Sequence, residues 1–244
     1  MSIEAAIFFD NKKDHLDEVH TKHRNIKLVK IPDYKGSYYP KQLPMNSGPL
    51  KTMIDSLGPN AYVDLLKSHH IDADAYDPGS GIEQNHIRIL NRWLTNTKKD
   101  SSNNSRAAIF DWDRTLTKVE GFYPLYKGQE RHMFEDTLLY LFGGHKRLLK
   151  IRGMFQHLAD EGVEIFILTN NEASITTFYK RMIHVLSPHI PLENIVCATL
   201  LYNGNKGLAF ENHTKLSTVR ILETEKRRRS RTTKTRTRTK NKTI

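Results

Sequence analysis

The sequence predicts an α/β fold: a three-layer sandwich with a five-stranded parallel sheet between two layers of helices. Three observations predict it. Short, almost wholly apolar runs alternate along the chain with longer stretches of helical periodicity. Two of those runs, "IEAAIFFD" at 3–10 and "AAIFD" at 107–111, rise straight into an acid. A third, "VEIFILTNN" at 163–171, ends on hydroxyl and amide side chains. Strands covered on both faces read as continuous apolar runs, and the functional groups of such sheets collect where the strands end.

Each element follows from local pattern. Residues 3–9 form a buried strand, closed by polar "DNKKD". "DHLDEVHTKH" (14–23) fits a short helix with Asp14 as N-cap. "NIKLVKI" (25–31) alternates and reads as the second strand. "PDYKGSYYPKQLPMNSGP" is a loop by its Pro and Gly content. Two helical stretches follow, "LKTMIDSLGPNAYVDLLKSHH", broken at Gly58-Pro59, and "IEQNHIRILNRWLTNT". "KKDSSNNSR" (98–106) is a linker by composition, and 107–111 is the third strand. "GFYPLYKG" (121–128) reads as a loop or small hairpin. "MFEDTLLYLF" and "HKRLLKIRGMFQHLADEG" read as helices, and the fourth strand runs to Thr169. "ASITTFYKRMIHVL" is a helix and "NIVCATLL" the fifth strand. "TKLSTVRILETEKRRR" starts as a helix and dissolves into a tail.

Composition limits the function classes. An apolar share of 38% with 27% charged residues is enough for a packed core in a chain of 244 residues. No apolar window is long enough to span a membrane, and "AAIFF" is too short and too poor in basic flanks for a secretory signal. The lone Cys197 excludes an internal disulfide and a multi-cysteine zinc site. These features predict an intracellular protein, cytoplasmic or nuclear, without a membrane partner. Of the net charge of +11, ten positive charges lie between Lys226 and Lys242, which leaves +1 for the rest. The stretch 227–244 has no apolar residue before Ile244 and is expected to be a disordered basic tail. The segment 226–242 would bind nucleic acid weakly, through salt-sensitive charge alone. It would serve equally as an import signal or a solubilising tail.

"FDWDRTLT" is an hhhDxDxT pattern and resembles the first motif of the haloacid dehalogenase-like hydrolases. "IFILTNN" resembles that family's second motif. The resemblance implies a phosphomonoester hydrolase that works through an aspartyl-phosphate. It implies Asp111 as nucleophile, Asp113 as general acid and base, and Thr169 as a hydroxyl donor to the phosphoryl oxygens. Thr115 and Asn170 would bind phosphate beside them. Mg²⁺ is the implied cofactor, held by Asp111 and Asp113 and offsetting the repulsion between phosphate and carboxylate.

The family also needs a lysine at the start of a helix, and then a strand ending in metal-binding acids. Lys206 in "NGNKG" and Lys215 in "HTKLSTV" both answer the first need. "YNGNKG" favours a hairpin with Lys206 at its tip. Lys215 falls in the first turn of the next expected helix and is slightly preferred. No acid-ending strand follows either one. "IFFDNKKDHLDEV" at the start of the chain resembles the missing fourth motif, so the chain resembles a circularly permuted member. Asp10 would then bind the metal, with Asn11 where a second acid is common and Asp14 as a weaker partner.

This reading divides the chain into a permuted catalytic core at 1–34 and 107–226, a helical insertion at 35–106, and the tail. The stretch between the first motif and the helix before the second leaves room for a flap and a small cap. An open cleft would admit a bulky phosphorylated substrate such as a nucleic-acid end. The rival expectation is an inactive nucleic-acid-binding or scaffold protein on the same fold. Trp112 reads as core packing or as a wall of the entrance, and Arg114 as a contact for a substrate anion or cover for the flap. The twelve histidines lack ligand spacing and read as surface or packing residues.

Overall fold

The computed structural model describes residues 3–32, 81–98, 105–117, 130–142 and 144–217. The expected loop from 33, the first expected insertion helix, the expected loop or small hairpin at 121–128 and the expected basic tail lie outside them. Five strands form one sheet: β1 (Ile3–Asp10), β2 (Lys27–Lys30), β3 (Ser105–Phe110), β4 (Val163–Thr169) and β5 (Ile195–Cys197). Their order is β2-β1-β3-β4-β5 and every pairing is parallel. The first strand of the chain therefore lies inside the sheet, hydrogen-bonded on both sides.

Seven helices are described: α1 (Lys13–Lys22), α2 (Gln84–Lys98), α3 (Glu130–Phe142), α4 (His145–Asp160), α5 (Thr177–Leu186), α6 (Ala198–Tyr202) and α7 (Lys206–Asn212). The alternation of side chains along a strand divides the core in two. Ile7, Phe9, Ala108, Phe110, Ile165 and Ile167 face α2, α3, α4 and α5. Ala6, Phe8, Ala107, Ile109, Phe166 and Leu168 face α1 and α7. Phe9 and Phe110 sit opposite each other in the β1–β3 register and stack at 5.0 Å between ring centroids. Phe8 meets Phe210 of α7 edge-on at 5.6 Å. Leu90, Trp93 and Leu94 of α2 are buried in the first of these cores, so this part of the insertion is integral to it.

The structure corrects several local expectations. α1 begins at Lys13 with Lys12 at the N-cap, and Asp14 lies in its first turn, where a carboxylate complements the helix dipole. β3 starts at Ser105, two residues into the expected linker. β5 is only three residues long, because Cys197 pairs with Thr169, the last residue of β4. With no partner beyond, the chain turns into α6. "YNGNKG" is not a hairpin: Asn203 ends α6 in the left-handed region at φ 52°, Gly204 follows at φ 77°, and Asn205 caps α7. The Asn205 side chain accepts from Leu208 N at 2.9 Å. Residues 214–217 form turns rather than the expected start of a helix.

Candidate active site

Register brings the two acids together. Phe9 pairs with Phe110, so Asp10 and Asp111 leave neighbouring strands side by side, on the α1–α7 face. Asp111 N donates to Phe9 O at 2.9 Å, and Ile31 N donates to Asp10 O at 2.9 Å. Those two bonds hold the strand ends rigid. Past Asp111 the chain makes a wide turn over Trp112–Leu116, closed by Thr117 N donating to Trp112 O at 3.1 Å. Within it Arg114 takes φ 56°, a left-handed conformation unusual for a side chain other than glycine.

Lys206 is the lysine of this site. It opens α7, is wholly buried, and donates from Nζ to Asp111 Oδ1 at 2.6 Å and to Asp10 Oδ2 at 2.8 Å. Its ammonium also lies 5.9 Å from the centroid of the Phe8 ring. The preference for Lys215 is corrected. Lys215 is 41% exposed and pairs with Glu164 at 2.8 Å and with Glu193 at 3.6 Å. The cap made by Asn205 is the reason: it starts a helix at Lys206, eight residues before Thr214, where the sequence pattern suggested one, and so puts Lys206 in its first turn.

The other carboxylate contacts are specific. Thr115 Oγ1 donates to Asp111 Oδ2 at 3.2 Å and accepts from Asn11 N at 3.0 Å. Thr115 is fully buried and orients Asp111; it is not among the described residues that line the cavity, where a phosphate ligand was expected. Lys12 N donates to Asp10 Oδ1 at 2.6 Å. His15 Nδ1 lies 3.0 Å from Asp10 Oδ2, and its Nε2 lies 3.2 Å from Asn170 Nδ2. Sequence reading missed His15. It occupies the first turn of α1 facing the sheet, next to the exposed Asp14 that had been named as a weak ligand.

A cavity of about 230 Å³ opens over Asp111 and Asp113. Asn11, His15, Asn170 and Asn171 wall it, with Lys12 and Arg114 beside them. Thr169 is buried behind this wall and its Oγ1 accepts from Asn171 N at 3.0 Å, so Asn170 and Asn171 take the cavity position expected of Thr169. Trp112 is fully buried and packs edge-on against Phe142 and Tyr179, which makes it core rather than entrance.

Burial and charge set the protonation states. Burial pushes Asp111 up to about 6; Lys206 opposes that rise, and Asp10 and Asp113 add to it. Burial also pushes Asp10 upward, but Lys206 and His15 outweigh it and leave that carboxyl below its usual range. Lys206 is lowered by burial and raised further by Asp111 and Asp10, so it stays charged. Asp10 and Lys206 are thus a fixed ion pair, and Asp111 is the acid whose charge responds to its surroundings.

Among the described residues no group of three His, Cys, Asp or Glu side chains is gathered at ligating distance. The donors that are present still fit Mg²⁺. Among the described residues Asn170 Oδ1 is buried without a hydrogen-bond partner, Asp111 Oδ2 accepts only from Thr115, and Asp113 lines the same cavity. These are hard oxygen donors, and Mg²⁺ is characteristically held by one or two carboxylates together with water and substrate phosphate. No helix among the described residues is long and apolar enough to cross a membrane. No family model, curated protein or solved structure matches the chain.

Proposed function

We propose that the chain is a Mg²⁺-dependent phosphomonoester hydrolase with a circularly permuted haloacid dehalogenase-like fold. One observation carries the reading: Lys206 bridges Asp111 and Asp10 at 2.6 and 2.8 Å, beside a cavity walled by Asp113 and Asn170. Three distant sequence segments converge there, from the ends of β1 and β3 and the start of α7. The permuted arrangement is supported by β1 lying between β2 and β3, next to the strand that bears Asp111.

In this mechanism an Asp111 carboxylate oxygen attacks phosphorus, and the bond from phosphorus to the leaving oxygen breaks. Asp113 gives its proton to that oxygen and then takes one from the water that hydrolyses the aspartyl-phosphate. Lys206 holds Asp111 in place and offsets negative charge as the phosphoryl group arrives. Asp10 fixes Lys206. Asp111 and Asn170 Oδ1 would hold the Mg²⁺, which supplies further charge neutralisation at the phosphoryl oxygens. The cavity is smaller than the roughly 300–1,000 Å³ typical of a pocket that engulfs a whole ligand. It suits a phosphoryl group whose carrier stays outside, which supports a bulky substrate such as a nucleic-acid end.

The test is phosphate release from an aryl phosphate by the full chain, with and without Mg²⁺, beside Asp111→Asn. The expected result is Mg²⁺-dependent turnover that falls by at least about 10³-fold in the variant. Turnover by Asp111→Asn equal to the parent, or none by the parent on any phosphomonoester, overturns the reading. In the second case, salt-sensitive nucleic-acid binding that is lost on deleting 226–244 would favour the inactive scaffold.

A further inference from the structure

His15 bridges the two sides of the cavity, and its hydrogen bonds define which ring nitrogen carries the proton. Asn170 Nδ2 lies 3.2 Å from Gly204 O. A backbone carbonyl only accepts, so the amide nitrogen of Asn170 must face it, and the amide orientation is settled. The same Nδ2 lies 3.2 Å from His15 Nε2. That ring nitrogen therefore accepts, and the proton sits on Nδ1, which donates to Asp10 Oδ2 at 3.0 Å. Lys206 occupies the other lone pair of the same oxygen at 2.8 Å.

We propose that His15, as its neutral Nδ1–H tautomer, is a positioning residue that aligns Asp10 and Lys206 on one side of the cavity and Asn170 on the other. Both ring nitrogens are engaged by protein, so His15 offers substrate neither donor nor acceptor and acts through its neighbours. Towards β1, it completes the set of bonds that locks the Asp10 carboxylate and so aims Lys206 at Asp111 Oδ1. Towards β4, it shares the Asn170 amide nitrogen with Gly204 O and so fixes the amide that walls the cavity. Asn11, which stands where a second acid was expected, donates its backbone N–H to Thr115 and does not bond Asp10. His15 supplies the rigidity at Asp10 that an added carboxylate would not.

The kinetic part rests on the proposed hydrolase reading; the tautomer does not. Two measurements separate them. The first is a long-range ¹H–¹⁵N spectrum of the full-length parent, in which His15 is assigned by its loss in His15→Asn. The expected pattern is a protonated Nδ1 and an unprotonated Nε2, the less common tautomer of free histidine. An Nε2–H signature overturns the proposal whether or not the protein is an enzyme. The second is turnover. His15→Ala should lower kcat about 10–100-fold with KM little changed, as is usual when the support of a site is removed. His15→Asn places an N–H near the position of Nδ1 and should recover most of that loss. Wild-type kcat in His15→Ala, or no recovery in a folded His15→Asn, overturns the proposal. Absent turnover in the parent overturns the hydrolase reading instead, and the tautomer then decides the role of His15.

Discussion

Lys206 Nζ stands 2.8 Å from Asp10 Oδ2, although 196 residues separate the two in the chain. Both side chains are fully buried. The contact joins the first strand of the chain to its last described helix, and the same ammonium holds Asp111. Removing one member of a buried ion pair leaves an uncompensated charge and costs about 3–5 kcal/mol. Lys206→Met is expected to lose that much in urea denaturation and to abolish turnover. Because Asp10 and Lys206 interact directly, Asp10→Asn should cost less in the Lys206→Met background than alone. Additive effects in that double-mutant cycle would show that the contact does not form.

Lys215→Ala is the matched control. Lys215 meets Glu164 and Glu193 at the surface, with side chains 41% and 66% exposed for the second pair. Partly exposed pairs of this kind contribute about 0–1 kcal/mol. Lys215→Ala is expected to change stability by less than about 1 kcal/mol and to leave kcat/KM intact. A loss of turnover comparable with that of Lys206→Met would return Lys215 to the site.

Much of this arrangement was legible in the sequence. Four of the five strands announced themselves as apolar runs, because a strand covered on both faces has no polar side to interrupt the pattern, while β2 at the sheet edge showed as the alternation of "NIKLVKI". The convergence of Asp10 and Asp111 was legible too, since both follow such a run directly. What stayed hidden depends on turn chemistry and on packing across the fold. Asn203, Gly204 and Asn205 look like a hairpin turn but serve as a left-handed helix end and an N-cap. That difference decides which lysine reaches the acids. His15 carries no spacing signal, since its partners Asp10 and Asn170 come together only when β1 and β4 share a sheet. Arg147 was invisible for the same reason: a basic residue on a helix reads as solvent-facing until its carbonyl partners are known.

The pH dependence of stability gives a third prediction. Asp111 has a folded pKa of about 6, above the ordinary carboxylate value. Between those values the folded state binds more protons than the unfolded one, so this group lowers stability as pH rises. Its favourable contribution is complete below the unfolded pKa and is lost as pH passes through about 6. Asp111→Asn has no such loss. Without added divalent cation, the stability of Asp111→Asn relative to the parent should increase between pH 4 and pH 7, most steeply between the ordinary carboxylate value and about 6, and level off above that. Asp10, lowered by Lys206, contributes in the opposite sense, and its contribution is lost only below the ordinary carboxylate range. Parallel curves for parent and variant would refute the elevated pKa.

Arg147 joins two backbone segments beside the site. It is fully buried, and it donates to Ile82 O at 2.6 Å and to Leu116 O at 2.9 Å. Ile82 N in turn donates to Thr115 O at 2.8 Å, so the insertion is tied, just before α2, to the turn that follows Asp111. Arg147→Met keeps much of the apolar volume and leaves both carbonyls short of a charged donor. A cost of about 2–4 kcal/mol is expected, and Arg147→Lys should recover only part because one ammonium lacks the planar fork. Full recovery by lysine would mean that charge alone matters here.

Gly207 sets how closely α7 approaches α1, and so where Lys206 begins. A Cβ at this position would lie 2.8 Å from Glu18 O and 3.1 Å from Asn205 Oδ1. The first of these atoms is backbone and cannot swing aside. The second caps α7 through its bond from Leu208 N, so moving it loosens the turn that carries Lys206. Glu18 is held there as well, because its Oε2 accepts from Lys206 N at 3.1 Å. Gly207→Ala therefore has to push α7 away from α1, with Lys206 adjacent to the point of strain. The expected cost is about 1–3 kcal/mol, as for overpacking in a core. Turnover at a temperature where the variant is still folded should also fall, since Lys206 would no longer meet both Asp10 and Asp111. A variant as stable as the parent, with unchanged kcat, would show that α1 and α7 are not in this contact in solution.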